Sequence, residues 1–515
     1  MSDDVTRVAP VSDAGRPEGP GATTRRPVPT PPLDARTTIA VLAVGTYAAA
    51  VMPDPVPGVG LATTGLIGAG VVLARRRHDG RRGAWRTAGL VVAAVATLLP
   101  AVSDADWVVS PVLLVAFGTA ALALAGGRTW LGLVRALARC LPEGGRAPVA
   151  VVRGLRSVLP TGVRSRPVIR ASLLTVVLLA VFGGLFASAD RLFGRLVERF
   201  LLPEWQFSAL PARAFVLTAV TIGITILVRL SRRSEDDQPL RAPGRRLEGI
   251  EWRLPLVALL VLFATFLAVQ FGALFGGHDW VSATAGLTYA EHARGGFAQL
   301  VVVALLTLLV VAATSRYAAV ATPEQQRLQR GLLAGLCGLT LVVLASALHR
   351  LLLYQDAFGL TRARFGAQAI IWWLAGMFAL VLLAGWRRRT TWLPRAVALA
   401  TAIAVVGVGF VQPDAHIARW NVERFAAEGA IDVFYLSGLS ADAVPALASL
   451  PDEVRACVLE AAAERLLEAG ETDGWSWNAS RARAADVLVG VRAHGVACAW
   501  DGVDRHGGLE STAGW

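Results

Sequence analysis

Six side chains carry the most recognisable chemistry in this sequence: His278, Asp279, Glu291, His292, His349 and Asp356. Imidazole and carboxylate groups can hold zinc, and a pair of carboxylates can transfer a proton. The spacing does not present a ready-made centre. No His-Glu-x-x-His run occurs, and Glu291 and His292 are adjacent, so on a helix they point about 100° apart. His278, Asp279 and His349 are the metal-ligand candidates that remain. A second chemistry runs through Arg294, Arg350, Arg362 and Arg364. Guanidinium forks hold phosphate or carboxylate bidentately, and Tyr289, Tyr354 and Trp280 would pack around such a ligand. A third reading needs no ligand. Asp190 with Arg191, Glu291 with Arg294, and Asp356 with Arg350 or Arg362 are then ion pairs that fix helix ends against one another, because buried or interfacial charges are generally paired. Gln270 sits within an apolar run, and a polar group there faces a cavity or a partner. Glycine-rich phosphate loops, dinucleotide fingerprints and nucleophile elbows are absent from the sequence, so no catalytic residue is assigned and no cofactor is expected.

The elements that must position these residues are membrane spans. Hydrophobic residues make up 54% of the 515 positions and mean hydropathy is +0.53, too apolar for a soluble globular chain. Apolar runs place spans at 37–52, 57–74, 87–102, 107–125, 168–188, 211–228, 254–275, 297–314, 331–348, 366–385 and 393–411. Most have the length that crosses a ~30 Å hydrocarbon core as helix. The fold class is therefore all-α, a polytopic bundle of about eleven spans. Trp107, Trp205, Trp252, Trp280, Trp386 and Trp392 fall at span ends, where amphipathic rings sit well.

The net charge of +12 comes from arginine, with no lysine in the chain. Counted in or within three residues of each connection, 29 arginines accompany the even-numbered connections and 8 the odd-numbered ones. By the positive-inside rule the first set is cytoplasmic. Arginine beside apolar spans also argues against nucleic acid as a partner and leaves the lipid bilayer as the certain one. The candidate polar residues all fall on the opposite, outer side. The leader 1–36 is polar and expected to be disordered and cytoplasmic, with 37–411 the multi-spanning domain and its first span an uncleaved anchor. An amphipathic stretch at 149–159 suits a helix on an anionic inner leaflet, and 191–202 repeats the pattern outside.

After the last span the chain changes character. Residues 412–500 read as a small helical extracytoplasmic domain, with Pro451 and Gly470 bracketing one helix and Ser440 a candidate N-cap for another, and 501–515 read as a flexible tail. Its two Trp-Asn-x-x-Arg runs hold Asn421 with Arg424 and Asn478 with Arg481, and these are the only two asparagines in the chain. They are either paired helix caps or a shared binding face. Cys457 and Cys498 both fall in this tail, outside the cytosol, where a disulfide persists. Arginine as the only basic residue, with so little asparagine, is the bias of a GC-rich bacterial genome.

Residues 185–190 (LFASAD), 287–294 (LTYAEHAR) with Gly296 and Phe297, 346–364 (SALHRLLLYQDAFGLTRAR), 413–425 (PDAHIARWNVERF), 432–447 and 477–488 together resemble bacterial integral membrane proteins of the domain-of-unknown-function families 4153 and 4173. The resemblance spans roughly 170–490 and implies a multi-spanning membrane protein. It supplies no catalytic residues, and the family's usual Tyr at the position of His292 argues against an essential ligand there. The function these residues suggest is a non-enzymatic cell-envelope binding or assembly component, its partner an envelope lipid, polymer or protein. A solute or lipid transporter and a membrane-embedded envelope-modifying enzyme are the alternatives.

Overall fold

A computed structural model describes residues 33–52, 58–75, 83–158, 175, 178, 210–232, 246–275, 297–468 and 474–492. These are helical nearly throughout; among the described residues the only β pairing is the bridge between Leu247 and Ala318. Among the described residues, eight helices are long and apolar enough to cross a membrane. They are α3 (Ala84–Ala96) with its following 3-10 turn (Leu99–Ala101), α4 (Asp106–Ala125), α7 (Leu210–Ser231), α8 (Gly249–Phe275), α9 (Phe297–Tyr317), α10 (Pro323–Phe358), α11 (Arg362–Arg387) and α12 (Leu393–Phe410). Two shorter apolar helices, α1 (Ala35–Val51) and α2 (Val59–Arg75), precede them. Ten of the eleven expected spans thus coincide with apolar helices, and the run 168–188 lies outside the described residues apart from 175 and 178.

The helices pack as two groups. In the first, α1, α2, α4 and α7 share a core with two short helices, α5 (Trp130–Ala138) and α6 (Cys140–Val158). The second joins α8, α9, α10 and α11 around Phe263, Leu336, Leu374 and Phe378. Helix α12 turns back from α11 to pack on α3 and α4, where Val406 meets Leu99 and Val112. Small residues let these helices approach closely, as membrane helices require in the absence of a hydrophobic force between them. At Gly45 a Cβ would strike the Thr221 side chain and the Leu217 carbonyl of α7.

The chain after Phe410 builds a cap with its own core. It comprises α13 (Pro413–Glu428), α14 (Val433–Ser437), a 3-10 turn (Ala441–Ala443), α15 (Val444–Leu447), α16 (Asp452–Glu468) and α17 (Ala479–Arg492). Ile417, Leu436, Leu447, Val458 and Ala484 converge in its interior. Helix α16 runs from Asp452 after Pro451, as its start signal predicts. Ser440 differs from expectation. It precedes a 3-10 turn, and its side chain makes no capping bond; α15, with Pro445 in its first turn, is only 4 residues long. The amphipathic stretch expected at 149–159 is the end of the longer α6, and 191–202 lies outside the described residues. At the N-terminus, the expected boundary at 36 moves by two residues because the Asp34 side chain caps α1 through the Thr37 N–H.

Candidate functional site

The described segments that meet the cap come from one end of the bundle: the last turns of α1, the start of α2, the connection from the 3-10 turn to α4, and the corner between α10 and α11. The helix ends bearing Arg75, Arg229, Arg316 and Arg387 are the opposite ends of α2, α7, α9 and α11.

Asp414, in the first turn of α13 and 0% exposed, is the hub of the junction. Its Oδ1 accepts from Arg362 Nε at 2.9 Å and Trp107 Nε1 at 3.1 Å, and its Oδ2 accepts from Arg362 NH2 at 2.6 Å and the Ser440 backbone N–H at 2.9 Å. One carboxylate therefore ties together the starts of α4, α11 and α13 and the turn after α14. A bidentate guanidinium fork adds geometric specificity as well as energy. Burial alone would raise this carboxyl. The Arg362 bonds and charge and the Ser440 N–H outweigh burial and hold the carboxyl below the ordinary aspartate value. Arg362 also donates its backbone N–H to the Tyr435 hydroxyl at 2.5 Å.

The second contact is centred on residues 100–104. The Asp442 carboxylate accepts from Ser103 Oγ at 2.6 Å and from the Asp104 N–H at 2.9 Å, while Asp104 accepts in return from the Ala441 N–H at 3.4 Å. Arg481, 3% exposed, pairs with Asp104 at 2.5 Å. Asn478 donates to the Pro100 and Ser103 carbonyls at 2.8 and 2.9 Å and accepts with its amide oxygen from the Ser480 and Arg481 N–H groups, which caps α17. Burial raises the Asp104 carboxyl despite Arg481.

The third contact grips the end of α10. Asn421 pairs with both backbone groups of Leu360, donating to its carbonyl at 2.8 Å and accepting from its N–H at 3.3 Å. One turn on, Arg424 donates to the Asp356 and Ala357 carbonyls, each at 2.8 Å, which are among the orphan acceptors of a helix C-terminus. Gly359 closes α10 with φ +77°, and a Cβ there would collide with the Asn421 amide oxygen, so glycine is required twice over. Arg364 donates to the Phe358 and Gly359 carbonyls and lies 4.4 Å over the Tyr354 ring.

A fourth contact closes the far side, where the Val59 and Gly60 amides at the start of α2 donate to the Trp477 and Trp475 carbonyls at 2.9 and 2.8 Å. Gly58 lies so close to the Ser476 and Trp477 backbone that a side chain would not fit.

A family model for a domain of unknown function, DUF4153, matches residues 90–450, more than half of the chain. The chain belongs to the DUF4153 family. No curated protein and no solved structure matches it. The DUF4153 span takes in Asp104, Arg362, Asp414, Asn421, Arg424 and Asp442, while Asn478 and Arg481 lie beyond it.

Of the polar residues singled out by sequence, the structure brings Arg362, Asn421, Arg424, Asn478 and Arg481 into the junction of this DUF4153 protein. The two Trp-Asn-x-x-Arg runs play parallel parts. In each, the amide holds loop backbone of the bundle and the guanidinium takes the neighbouring carbonyls or carboxylate. Arg362 is not paired with Asp356, because it turns at the start of α11 toward Asp414; Asp356 contributes its carbonyl and keeps an exposed side chain. His349 is exposed and Arg350 half-buried on α10, which runs ten residues past the expected span end. Gln270 is buried within α8, and its Oε1 has no hydrogen-bond partner among the described residues. Asp190, His278, Asp279, Tyr289, Glu291, Arg294 and Cys498 lie outside the described residues. Among the described residues no three His, Cys, Asp or Glu side chains gather as metal ligands would. Cys457 is buried and disulfide-bonded, while Cys140 and Cys337 are free. Sequence reasoning passed over Ser103, Asp104, Asp414, Tyr435 and Asp442, and it read Trp107 only as a belt residue. The signal available was acidity in very short connections, since Asp104 occupies the tight link between two apolar helices.

Proposed function

We propose that this protein is a non-enzymatic, multi-pass component of the cell membrane that holds a rigidly docked helical cap on its outer face for an envelope lipid, polymer or protein. The observation that carries this reading is the use of the junction's ionisable groups. Asp104, Arg362, Asp414, Arg424 and Arg481 are engaged in bonds that fix the cap to the bundle, which leaves them unsuited to turnover and suited to presenting a fixed surface. The units would be a membrane domain at 37–411 and an extracytoplasmic domain at 412–500. Two independent features support the outward orientation of the cap. The arginine-rich helix ends lie at the other end of the bundle, and a disulfide at Cys457, which we pair with Cys498, belongs outside the reducing cytosol.

The orientation is tested by replacing the exposed Ser449 with cysteine and labelling intact cells with a membrane-impermeant maleimide. Labelling only after permeabilisation would reverse it. The binding role is tested by thermal shift of the detergent-purified chain against zinc, a polyprenyl phosphate and anionic phospholipid. Stabilisation by a precursor without turnover supports the proposal, and stoichiometric zinc lost on changing His278 or His349 would favour an enzyme instead. Gln270, buried in α8 with no partner for its Oε1 among the described residues, favours one other reading, a transporter whose polar path passes α8. Solute flux in proteoliposomes that falls on Gln270→Leu would establish it.

A further inference from the structure

At the end of the bundle away from the cap, α5 runs on through Arg139 into α6, and neither helix is among those long and apolar enough to span. One stripe of α6 packs inward through Glu143, Ala147, Ala150 and Gly154, at the three- and four-residue spacing of a single helix face. Gly154 lies so close to Thr38 of α1 that a side chain there would strike it. The only acidic residue of α5 and α6, Glu143, is 0% exposed and paired with Arg229 of α7 at 2.5 Å and Arg146 at 3.5 Å. The surface turned away from the bundle is of two kinds. Leu141 is 81% and Val134 61% exposed, with Trp130, Leu137, Val149 and Val152 exposed beside them. Arg135, Arg146, Arg153 and Arg156 are also exposed. Every exposed charge on α5 and α6 is therefore positive, and it stands beside large apolar side chains.

We propose that the α5–α6 segment is a docking platform for anionic phospholipid, its apolar side chains seated at the acyl boundary and Arg146, Arg153 and Arg156 holding headgroup phosphates. Exposed leucine and valine of this extent suit an interface in which they are covered by acyl chain, and arginine spans the distance from such a surface to a phosphate while holding it bidentately. Charge complementarity selects the headgroup: with Glu143 sequestered, nothing on this surface favours a zwitterionic lipid over an anionic one. The buried Glu143–Arg229 pair and the Gly154 contact fix α6 to α7 and α1, so the platform is a rigid part of the bundle.

The test uses the full chain in neutral detergent, titrated with phosphatidylglycerol, phosphatidylcholine or inorganic phosphate and followed by thermal shift. Phosphatidylglycerol is expected to raise the melting temperature where the other two do not. Each single Arg→Gln change at 146, 153 or 156 should weaken the apparent phosphatidylglycerol affinity by roughly fivefold, the ~1 kcal/mol expected of one arginine near an anionic surface. The triple Arg→Gln variant should lose the specific shift and the triple Arg→Lys variant should keep most of it. Arg483→Gln, exposed in the cap, should change nothing. Equal stabilisation by phosphatidylcholine, or an unchanged phosphatidylglycerol response in all three single variants, overturns the proposal. Stabilisation by inorganic phosphate to the same degree makes it a soluble-anion site and overturns the lipid assignment. Should the triple variants fail to fold, the three single variants decide.

Discussion

Replacing Asp414 by alanine should release the cap while leaving the bundle folded. The side chain is fully buried and accepts four hydrogen bonds from three other segments. Arg362, about one-third exposed, rehydrates in part when its partner goes, so its share is discounted to ~1 kcal/mol. The Trp107 and Ser440 N–H groups lose a buried acceptor, at about 1 kcal/mol each. Opening of the junction should then become easier by ~3 kcal/mol, or about a hundredfold. Hydrogen exchange of the purified full-length protein reads this directly: amides of residues 436–443 should exchange about a hundredfold faster, while those in the core of α9 and α10 hold their rates. Asp432→Ala is the control, since that side chain accepts only the Tyr435 N–H at an exposed cap and should change little beyond its own turn. Acceleration below tenfold at 436–443 refutes the hub, and equal acceleration in α9 and α10 refutes the idea that Asp414 serves docking rather than global stability.

Acid should loosen the junction through Asp414. Its folded value lies below the ordinary one, so the stability it adds is present above about pH 4 and is lost as pH falls through its folded value. Asp104 acts with the opposite sign, because its raised folded value gives a contribution present below about pH 4 and lost as pH rises through that value. Asp104→Asn should accordingly flatten a fall of melting temperature as pH rises above about 4, and Asp414→Asn should flatten a rise of melting temperature with pH below about 4. Gly359→Ala should cost at least ~1–2 kcal/mol from its positive φ alone, measured as a lowered melting temperature, with more from the Asn421 collision. Alkylation of the denatured, unreduced protein should modify two thiols, Cys140 and Cys337; four modified thiols would remove the disulfide at Cys457, and a peptide map that joins Cys457 to any residue but Cys498 would correct the pairing.

The spans were legible because their signal is long and redundant: twenty apolar residues announce α4 or α11 whatever surrounds them. The arginines that sort to one end carry the same redundancy. The junction was legible only in part. Asn421, Arg424, Asn478 and Arg481 stood out because the pattern occurs twice and asparagine occurs nowhere else. Their binding partners were not readable, because these are backbone carbonyls of Pro100, Ser103, Asp356, Ala357 and Leu360, and a carbonyl leaves no trace in residue type. Asp104 with Arg481 is separated by 377 positions, a pairing that no local period encodes. Of the two pairings expected for Asp356, with Arg350 or with Arg362, the second does not form, for a related reason. Asp356 is closer in sequence, but the helix break at Gly359 turns Arg362 away from it and toward α13.

The division of labour at the junction comes from its position. Helices that end at a membrane surface expose orphan backbone groups, and here cap residues satisfy many of them: Arg424 takes carbonyls at the end of α10, Asn478 those after α3, and the Trp475 and Trp477 carbonyls take amides at the start of α2. A cap held by apolar contact alone could slide across its base, since such contact is not directional. Hydrogen bonds to fixed backbone positions do not permit that motion without leaving buried polar groups unpaired. The cap and the helix ends beneath it therefore move together, so a ligand that shifts α13 or α17 must also shift α10 or α4. If the cap is where an envelope component binds, its effect reaches the bundle through Asp414 and Arg481, and the Asp414→Ala protein should still bind that component at the cap while losing any response in the spans.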